Sequence, residues 1–301
     1  MAAGWGRCVI AGCGYVGTRL ARAWDERGGS VTALVRTNES AEQLHASGFE
    51  SFAVDFDSDV SLPPLPMGAW IYYLVAPPPA GTRDTRIRRF LAELTAGTAP
   101  TGLVLISTTG VYGDCGGAWV DESTPVAPQV DRARRRVDAE NAARDWSAHT
   151  GIPVIILRVP GIYGPGRLPL ARLRQATPVL RESESPWSNR VHVDDLVAAA
   201  LAVPERGHPG AVYNISDGHP STMTDYFNRV ADAAGLPRPP QIDQATARAV
   251  LKPGMQSYLS ESKRIDNRRM QIELGVVPRY PDLDAGLSAC LTEERDVRKP
   301  A

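Results

Sequence analysis

The sequence predicts an α/β protein in which a doubly wound parallel sheet is followed by a smaller C-terminal region. A short apolar run at residues 7–10 enters a glycine-rich turn, and an amphipathic run then ends at Gly28 and Gly29. Beyond it, apolar runs of strand length alternate with helical or linking segments up to residue 158. This alternation favours parallel pairing with helices on both faces of one sheet.

Taken in order, the elements keep this pattern. Strands are expected at residues 7–10, 30–35, 50–54, 70–75, 103–106 and 154–158, and helices at 41–47, 82–97 and 129–150. In the second half, a strand at 189–193 precedes a helix that Asp194 or Asp195 caps, and another strand lies at 211–215. Thr222 then opens a further helix.

The first turn carries the pattern G-x-G-x-x-G. Gly12 allows a sharp turn, Gly14 lets a pyrophosphate approach the backbone, and Gly17 lets the following helix pack closely on the strand. Tyr15 and Val16 begin that helix, whose N-terminal N–H groups attract phosphate. Because a strand precedes the motif and a helix follows it, the sequence predicts a dinucleotide site.

The end of the second strand distinguishes the two nicotinamide cofactors. An acidic residue there would bind the adenosine ribose and select NAD, but Arg36 and Thr37 stand in its place. A guanidinium meets a 2′-phosphate with charge-assisted hydrogen bonds, so NADP is predicted and NAD is the alternative if Arg36 is only an exposed side chain. Asp55 is placed beside the adenine, and Ala76 leaves room for the cofactor.

Composition excludes several classes of function. Lys and Arg number 33 and Asp and Glu 34, so a net charge of −1 argues against a nucleic-acid or membrane-surface binder. No apolar run approaches the ~20 residues of a membrane span. The four cysteines and five histidines show no metal-binding spacing. We therefore expect a cytoplasmic protein with reduced thiols and no metal site.

An ordered set of motifs resembles the extended short-chain dehydrogenase/reductases of the NAD-dependent epimerase/dehydratase family. Besides the glycine motif, the similar segments are 107–113 (STTGVYG), 158–166 (RVPGIYGPG), 191–196 (VHVDDL) and 212–218 (VYNISDG). The resemblance implies a Rossmann domain at residues 1–165 plus about 190–215, and a small substrate-binding region at about 166–189 and 216–301. It also implies bound NAD(P) and, in many members, a homodimer.

One departure affects the chemistry. The family uses Y-x-x-x-K on the helix after the fifth strand and usually has a glutamate four residues after the lysine. Taking Glu140 as that glutamate puts Arg136 at the lysine position and Arg132 at the tyrosine position, and no tyrosine lies between Tyr112 and Tyr163. Arginine stays protonated near neutral pH, so it cannot be the general base. Arg136 is still expected to bind the ribose or phosphate.

Three interpretations follow. In the first, the chain is an atypical NADP-dependent reductase or epimerase-like enzyme, and a remaining hydroxyl of Thr108, Ser107 or Tyr112 assists hydride transfer. Thr108 matches the family's catalytic Ser/Thr position, whereas Tyr112 would need a depressed pKa. In the second, the chain is a catalytically inactive NADP(H)-binding redox sensor. In the third, the acid comes from elsewhere, for example from His192.

The resemblance also places residues around the reaction site. Ser107, Pro160 and Ile162 are expected to face the cofactor, the latter two at the nicotinamide. Asn189 and Arg190, together with Arg167, are expected to grip an anionic substrate such as a nucleotide sugar. The first interpretation is therefore preferred, because a pure nucleotide binder has no need of a substrate grip.

Overall fold

A computed structural model describes residues 5–58, 61–94, 98–251, 256 and 259–297. The strands are β1 (Arg7–Ala11), β2 (Ser30–Val35), β3 (Glu50–Ala53), β4 (Trp70–Tyr73), β5 (Gly102–Thr108), β6 (Trp119–Val120), β7 (Val154–Val159), β8 (Gly161–Tyr163), β9 (Val179–Leu180), β10 (Trp187–Ser188), β11 (Arg190–His192), β12 (Val212–Asn214), β13 (Ser221–Thr222), β14 (Gln241–Ile242) and β15 (Arg264–Ile265). The α-helices are α1 (Tyr15–Asp25), α2 (Asn38–Ala46), α3 (Thr85–Glu93), α4 (Asp131–Thr150), α5 (Leu170–Arg174), α6 (Val193–Arg206), α7 (Met223–Ala233), α8 (Gln244–Val250), α9 (Arg268–Glu273) and α10 (Leu283–Val297).

A seven-stranded sheet forms the centre, in the order β12-β7-β5-β4-β1-β2-β3. Every neighbouring pair in it is parallel. The order reverses direction at β1, which creates a crevice at the carboxyl ends of the strands where such sheets bind ligands. The predicted doubly wound parallel sheet is confirmed, with β12 as its seventh strand.

Alternation along each strand builds a core on both faces of the sheet. Ile10 and its neighbours on one face pack against α1 and α6, including Trp24 and Leu196. Val9 belongs to the other face, which packs against Phe90 of α3 and the alanines of α4. Successive strand residues point to opposite faces, so strands covered on both sides read as continuous apolar runs.

Several element boundaries differ from prediction, most by one or two residues, and those of β5, α2 and α3 bear on the site. β5 runs to Thr108 rather than ending at residue 106. α2 starts at Asn38 because the Thr37 hydroxyl accepts from the Ser40 N–H as its N-cap. α3 starts at Thr85 because Asp84 caps it, and the last part of the predicted helix, residues 95–97, lies outside the described residues.

The strand expected at 189–193 exists but does not join the central sheet. β11 pairs in parallel with β8 instead. Beyond it, α5, α7 and α10 surround a separate apolar cluster that includes Leu173, Phe227 and Leu287. The division near residue 165 stays a prediction. Among the described helices, none has the length and apolar character needed to cross a lipid bilayer.

Candidate active site

The three glycines of the first turn meet three different surroundings. Gly12 has φ +86°, and a Cβ there would lie 2.8 Å from the Val75 nitrogen. A Cβ on Gly17 would lie 3.1 Å from Cγ2 of Ile10, so the helix packs tightly on the strand. A Cβ on Gly14 would meet no protein atom within 4 Å. The turn therefore leaves open space at the one glycine expected to face a pyrophosphate.

The start of α1 borders this space. Gly14 is its N-cap and supplies no side-chain hydrogen bond, so the N–H groups of Tyr15 and Val16 begin the helix without a protein cap. A helix N-terminus of this kind binds anions. The residues present thus fit a dinucleotide, which when bound would supply or accept a hydride. The Tyr15 hydroxyl itself donates to the Pro165 carbonyl oxygen at 3.0 Å.

A small cavity of about 70 Å³ lies at the adenosine end. Its lining includes Gly12, Arg36 and Asp55, which the sequence assigned to one cofactor, and also Phe56 and Arg86. Arg36 Nε lies 3.7 Å from Asp55 Oδ1, and its Nη2 lies 3.6 Å from Asp57 Oδ2. The structure therefore brings the residues predicted to bind adenosine together.

Thr37 and Ala76, which were also predicted to bind the cofactor, make hydrogen bonds within the protein. The Thr37 hydroxyl, besides capping α2, donates to the Ser40 hydroxyl at 2.9 Å. The Ala76 carbonyl oxygen accepts from Arg86 Nη1 at 2.8 Å. Arg86 also binds Asp57, and this hydrogen bond lowers the pKa of the Asp57 carboxyl. Neither Asp57, which lies shortly after β3, nor Arg86, which lies in the first turn of α3, was predicted from the sequence.

A larger cavity of about 440 Å³ opens between the carboxyl ends of the central strands and α7. We call it the central cavity. It is lined by Thr108, Thr109, Gly110, Arg132, Pro160, Gly161, Ile162, Arg167, Pro169, Arg172, Trp187, Ser188, Asn189, Arg190, Met223, Tyr226, Phe227, Glu261 and Lys263. The predicted residues Thr108, Pro160, Ile162, Asn189 and Arg190 therefore meet around one space.

Ser107 and Thr108 point to different places because both lie within β5, where side chains alternate. The Ser107 hydroxyl is buried and donates to Glu140 Oε1 at 2.6 Å. Any contact of Ser107 with a cofactor would therefore come from its backbone. Thr108 lines the central cavity, and its Oγ1 accepts from the Gly110 N–H at 3.2 Å. Its own O–H remains a donor.

Tyr112 does not fit the role of proton donor. It is buried, it is not part of the cavity lining, and its hydroxyl donates to Asn214 Oδ1 at 2.8 Å. Burial raises its pKa, although the charge of Arg158 and the hydrogen bond to Asn214 act in the opposite direction. The lowered pKa that catalysis would require is not found, and a catalytic role for Tyr112 stays a prediction that this geometry does not favour. Tyr112 lies on the 3₁₀ turn Thr109–Tyr112, which carries its ring into the protein.

The two arginines at the Y-x-x-x-K positions differ. Arg136 Nη1 approaches the carbonyl oxygens of Ile106 and Val75, at 3.3 Å and 3.4 Å. These residues lie at the carboxyl ends of adjacent strands, so Arg136 points to the edge where a nicotinamide ribose is expected. Arg132 lines the central cavity and donates from Nη2 to Glu261 Oε1 at 2.9 Å.

Asn189 and Arg190, which were predicted to bind substrate together, make different kinds of contact. The Asn189 side chain holds a neighbouring segment, because Nδ2 donates to the Lys263 carbonyl and Oδ1 accepts from the Ile265 N–H. Arg190 is buried, and burial lowers the pKa of its guanidinium. Its guanidinium contacts three neutral groups, the Asn189 carbonyl at 2.7 Å, the Met223 sulfur at 3.2 Å and the Tyr226 ring at 4.3 Å.

His192 is a structural residue rather than an alternative acid. Its Nδ1 accepts from the Asp194 N–H at 3.2 Å and so caps α6. The ring packs against Tyr280, with centroids 4.0 Å apart, and burial lowers its pKa. It does not line the central cavity. The hypothesis that His192 supplies the proton is therefore not supported by its position.

Sequence reasoning missed Glu261 and Lys263. They lie about 130 residues after Arg132, and no motif marks them. Their position depends on β15, which pairs with β6, and on the Asn189 side chain. The sequence around them carries no local signal, because their burial appears only in the folded chain.

Comparisons with known proteins identify the family of this chain. The model of the NAD dependent epimerase/dehydratase family matches residues 77–216. Protein YeeZ of Escherichia coli K12 is 30% identical over 92% of this chain and 97% of its own length. A functionally unknown conserved protein from Silicibacter pomeroyi has 32% identity and a TM-score of 0.79, covering 98% of this chain and 100% of its own.

A third relative shows the fold at greater distance. UDP-glucuronic acid 4-epimerase from Bacillus cereus, solved with NAD, has a TM-score of 0.74 at 16% identity, over 97% of this chain and 100% of its own. The matched family segment contains the 107–113 and 158–166 motifs. The chain therefore belongs to the NAD-dependent epimerase/dehydratase family of the short-chain dehydrogenases/reductases.

Proposed function

We propose that the protein is an NADP(H)-dependent oxidoreductase that acts on an anionic, carbonyl-bearing substrate of the nucleotide-sugar class. The observation that carries this proposal is the lining of the central cavity. Thr108, the turn from Pro160 to Ile162 and Arg190 all line it, and Arg190 is paired with Gly161 of that turn between β11 and β8. A reacting centre and an anion grip therefore share one space.

Arg190 favours an anionic substrate. Removing a guanidinium from water is unfavourable unless an anion compensates it. Among the described residues, no carboxylate lies within ion-pair distance of Arg190, and its partners are a carbonyl, a thioether and an aromatic ring. Arg167 and Arg172 line the same cavity. A phosphate or diphosphate would pair with these cations bidentately.

Arg36 favours NADP as the cofactor. Its side chain is 67% exposed, and its contacts to Asp55 and Asp57 are longer than hydrogen bonds. The guanidinium is thus able to turn toward a 2′-phosphate. Charge-assisted hydrogen bonds of roughly 1.5–3 kcal/mol correspond to a preference of about tenfold to a hundredfold over NAD.

Cofactor titration tests this part of the proposal. The purified protein is denatured to identify any released nucleotide, and the stripped protein is titrated with NADPH and NADH. We expect NADPH to bind at least tenfold more tightly, and Arg36→Ala to remove the preference. Arg22→Ala, which removes an exposed arginine near the end of α1, is the matched control. If tightly held NAD is released instead, an epimerase or dehydratase that recycles its cofactor in place becomes the better proposal.

Turnover tests the substrate class. NADPH oxidation is measured with keto derivatives of dTDP- and UDP-sugars and with matched neutral sugars. We expect activity only with the anionic compounds, and an increase in KM in Arg190→Met. Equal activity with the neutral sugars would contradict the anion grip.

The second candidate is a redox sensor that binds NADP(H) without turnover. Two observations favour it: Tyr112 is buried in a structural hydrogen bond, and Arg132, at the tyrosine position, pairs with Glu261. This candidate predicts no NADPH oxidation with any carbonyl compound and a protein partner whose affinity depends on the nucleotide.

We also propose that the protein forms a homodimer through α3 and α4. Sedimentation equilibrium of the purified protein tests this oligomeric state.

A further inference from the structure

Three charged side chains form a connected cluster beside Thr108. Glu261 Oε1 accepts from Arg132 Nη2 at 2.9 Å, and its Oε2 accepts from Lys263 Nζ at 2.9 Å. Lys263 Nζ also donates to the Gly113 carbonyl oxygen at 2.5 Å. The cluster therefore lies against the turn that follows β5, at the helix position where relatives carry the acid/base tyrosine.

Glu261 and Lys263 are buried in the wall of the central cavity, and hydrogen bonds with Asn189 hold their segment in place. Glu261 is 8% exposed and Lys263 is 5% exposed, yet both line the central cavity. Asn189 holds their segment through the Lys263 carbonyl at 3.0 Å and the Ile265 N–H at 2.8 Å. Lysine is rarely buried unless it is paired. Here the lysine is paired and also faces the space where a substrate is expected.

The donor count of Lys263 points to a ligand. An ammonium has three N–H bonds. The described residues supply two acceptors, Glu261 and the Gly113 carbonyl, so one N–H bond remains for a group in the cavity. Arg132 cannot give up a proton near neutral pH, and Glu261 accepts from two cations and so has none to give. Lys263 is the member of the cluster that is able to transfer one.

We propose that Lys263 donates the proton that the tyrosine donates in relatives, and that Glu261 and Asn189 position it; the proposal rests on the reductase function above. A reduced nicotinamide, when bound, would supply a hydride to the carbonyl carbon, and the carbon–oxygen π pair would end on the oxygen. That oxygen then needs one proton. The N–H bond of Lys263 breaks, an O–H bond forms, and the neutral amine takes a proton back from water.

Two readouts test the proposal, and the first is independent of the natural substrate. 4-Nitrophenol is titrated against NADP-loaded protein, and phenolate formation is followed by absorbance. A donor at Lys263 should make the phenolate bind at least tenfold more tightly than the phenol. Lys263→Met should remove this preference while NADP affinity and the circular dichroism spectrum stay unchanged. Lys299→Met makes the same substitution near the end of the chain and serves as control.

The second readout is turnover. Lys263→Met and Lys263→Arg should both reduce NADPH-dependent carbonyl reduction by roughly 10²–10⁴-fold. Lys263→Arg should keep the phenolate preference, because charge survives while the transferable proton does not. This separation of binding from proton transfer distinguishes a proton donor from a structural cation. If Lys263→Met does not fold, Lys263→Arg and labelled-lysine NMR of the wild type with 4-nitrophenolate replace it.

The outcomes separate the two proposals. Wild-type turnover that survives in Lys263→Met overturns the assignment of Lys263 and leaves the reductase function standing. A wild-type protein without phenolate preference also overturns it. A Lys263-dependent phenolate preference with no turnover of any carbonyl compound supports the site and removes the reductase function.

Discussion

Arg158 donates two hydrogen bonds to the Glu140 carboxylate, from Nε to Oε1 at 3.1 Å and from Nη2 to Oε2 at 2.9 Å. Both side chains are buried, and the pair lies directly behind Ser107. Burial alone would raise the pKa of the Glu140 carboxyl, but the hydrogen bonds and charge of Arg158 lower it below its usual range. This pair anchors α4 to the end of β7 and so supports the floor of the candidate site.

We expect Arg158→Met to lower the free energy of unfolding by roughly 3–5 kcal/mol, because it leaves a buried carboxylate with its main partner removed. Arg144→Ala removes the exposed partner of the same carboxylate and should change the free energy of unfolding by less than about 1 kcal/mol. Urea denaturation at pH 7 measures both. Because Glu140 has a lowered pKa, its contribution is present above pH 4.5 and lost on acidification. Equal losses in the two variants would contradict the prediction.

The glycine turn offers a separation of folding from binding. We expect Gly14→Ala to fold with nearly wild-type stability, because its methyl group meets no protein atom. It should bind nicotinamide dinucleotide at least tenfold more weakly, because the methyl group occupies the space where the pyrophosphate is expected. Gly12→Ala should destabilise the fold by roughly 1–3 kcal/mol, because its methyl group meets the Val75 backbone. Calorimetric titration and thermal unfolding measure the two effects. A stable Gly14→Ala variant with unchanged dinucleotide affinity would contradict binding of the pyrophosphate at this turn.

Thr108 is expected to assist the reaction through its hydroxyl. Thr108→Ala should keep NADPH affinity within about twofold and lower hydride transfer by roughly 10²–10³-fold, as loss of a hydrogen bond to a developing oxyanion does. Thr108→Ser keeps both the hydroxyl and the acceptor for the Gly110 N–H, so it should restore most of the rate. Stopped-flow oxidation of NADPH measures this. Unchanged turnover in Thr108→Ala removes Thr108 from the mechanism.

Tyr112 provides the opposite test. Tyr112→Phe leaves the buried Asn214 Oδ1 without its hydroxyl donor, so we expect a loss of roughly 1–3 kcal/mol in unfolding free energy. Cofactor affinity and the rate of hydride transfer should stay at wild-type levels, because the hydroxyl does not reach the central cavity. A large loss of rate in a folded Tyr112→Phe would restore Tyr112 as the proton donor.

Asp217 should make stability depend on pH. Burial raises the pKa of its carboxyl from 3.8 to about 7, while the His219 N–H and the charges of His219 and Arg190 oppose the shift and Asp195 adds to it. The folded protein then holds a proton that the unfolded chain releases above pH 4. The associated stability is complete below that pH and is lost as pH rises through 7.

Asp217→Asn should remove this dependence and should be more stable than the wild type at pH 8, because it removes a charge that the buried site disfavours. Thermal unfolding between pH 4 and pH 8 measures it, with the exposed Asp145→Asn as control. A wild-type melting curve that does not change over this range would contradict the prediction.

Local pattern was enough to predict much of the fold. Continuous apolar runs and the glycine turn located the strands of the central sheet, because strands covered on both faces lack polar alternation. Strand ends were harder to predict. β5 runs two residues past the apolar stretch, and this extension places Ser107 toward Glu140 and Thr108 toward the cavity.

Some residues of the candidate site could be predicted from the strand positions. Residues at or just after strand ends, such as Arg36, Asp55 and Thr108, were found because the carboxyl ends of parallel strands lie at one edge of the sheet. The burial of Tyr112 could not be predicted in this way, because it depends on a 3₁₀ turn that carries its ring into the protein. Glu261 was missed because nothing near it in sequence relates it to Arg132.

The sequence by itself determined the parallel sheet, the dinucleotide turn and the absence of Y-x-x-x-K, since each of these depends on residues close together in the chain. Only the tertiary structure decided which side chains share the central cavity. The contact between Arg132 and Glu261 spans 129 residues, and it forms because β15 pairs with β6 and Asn189 holds the connecting segment. Such contacts depend on long-range packing, which local periodicity does not encode.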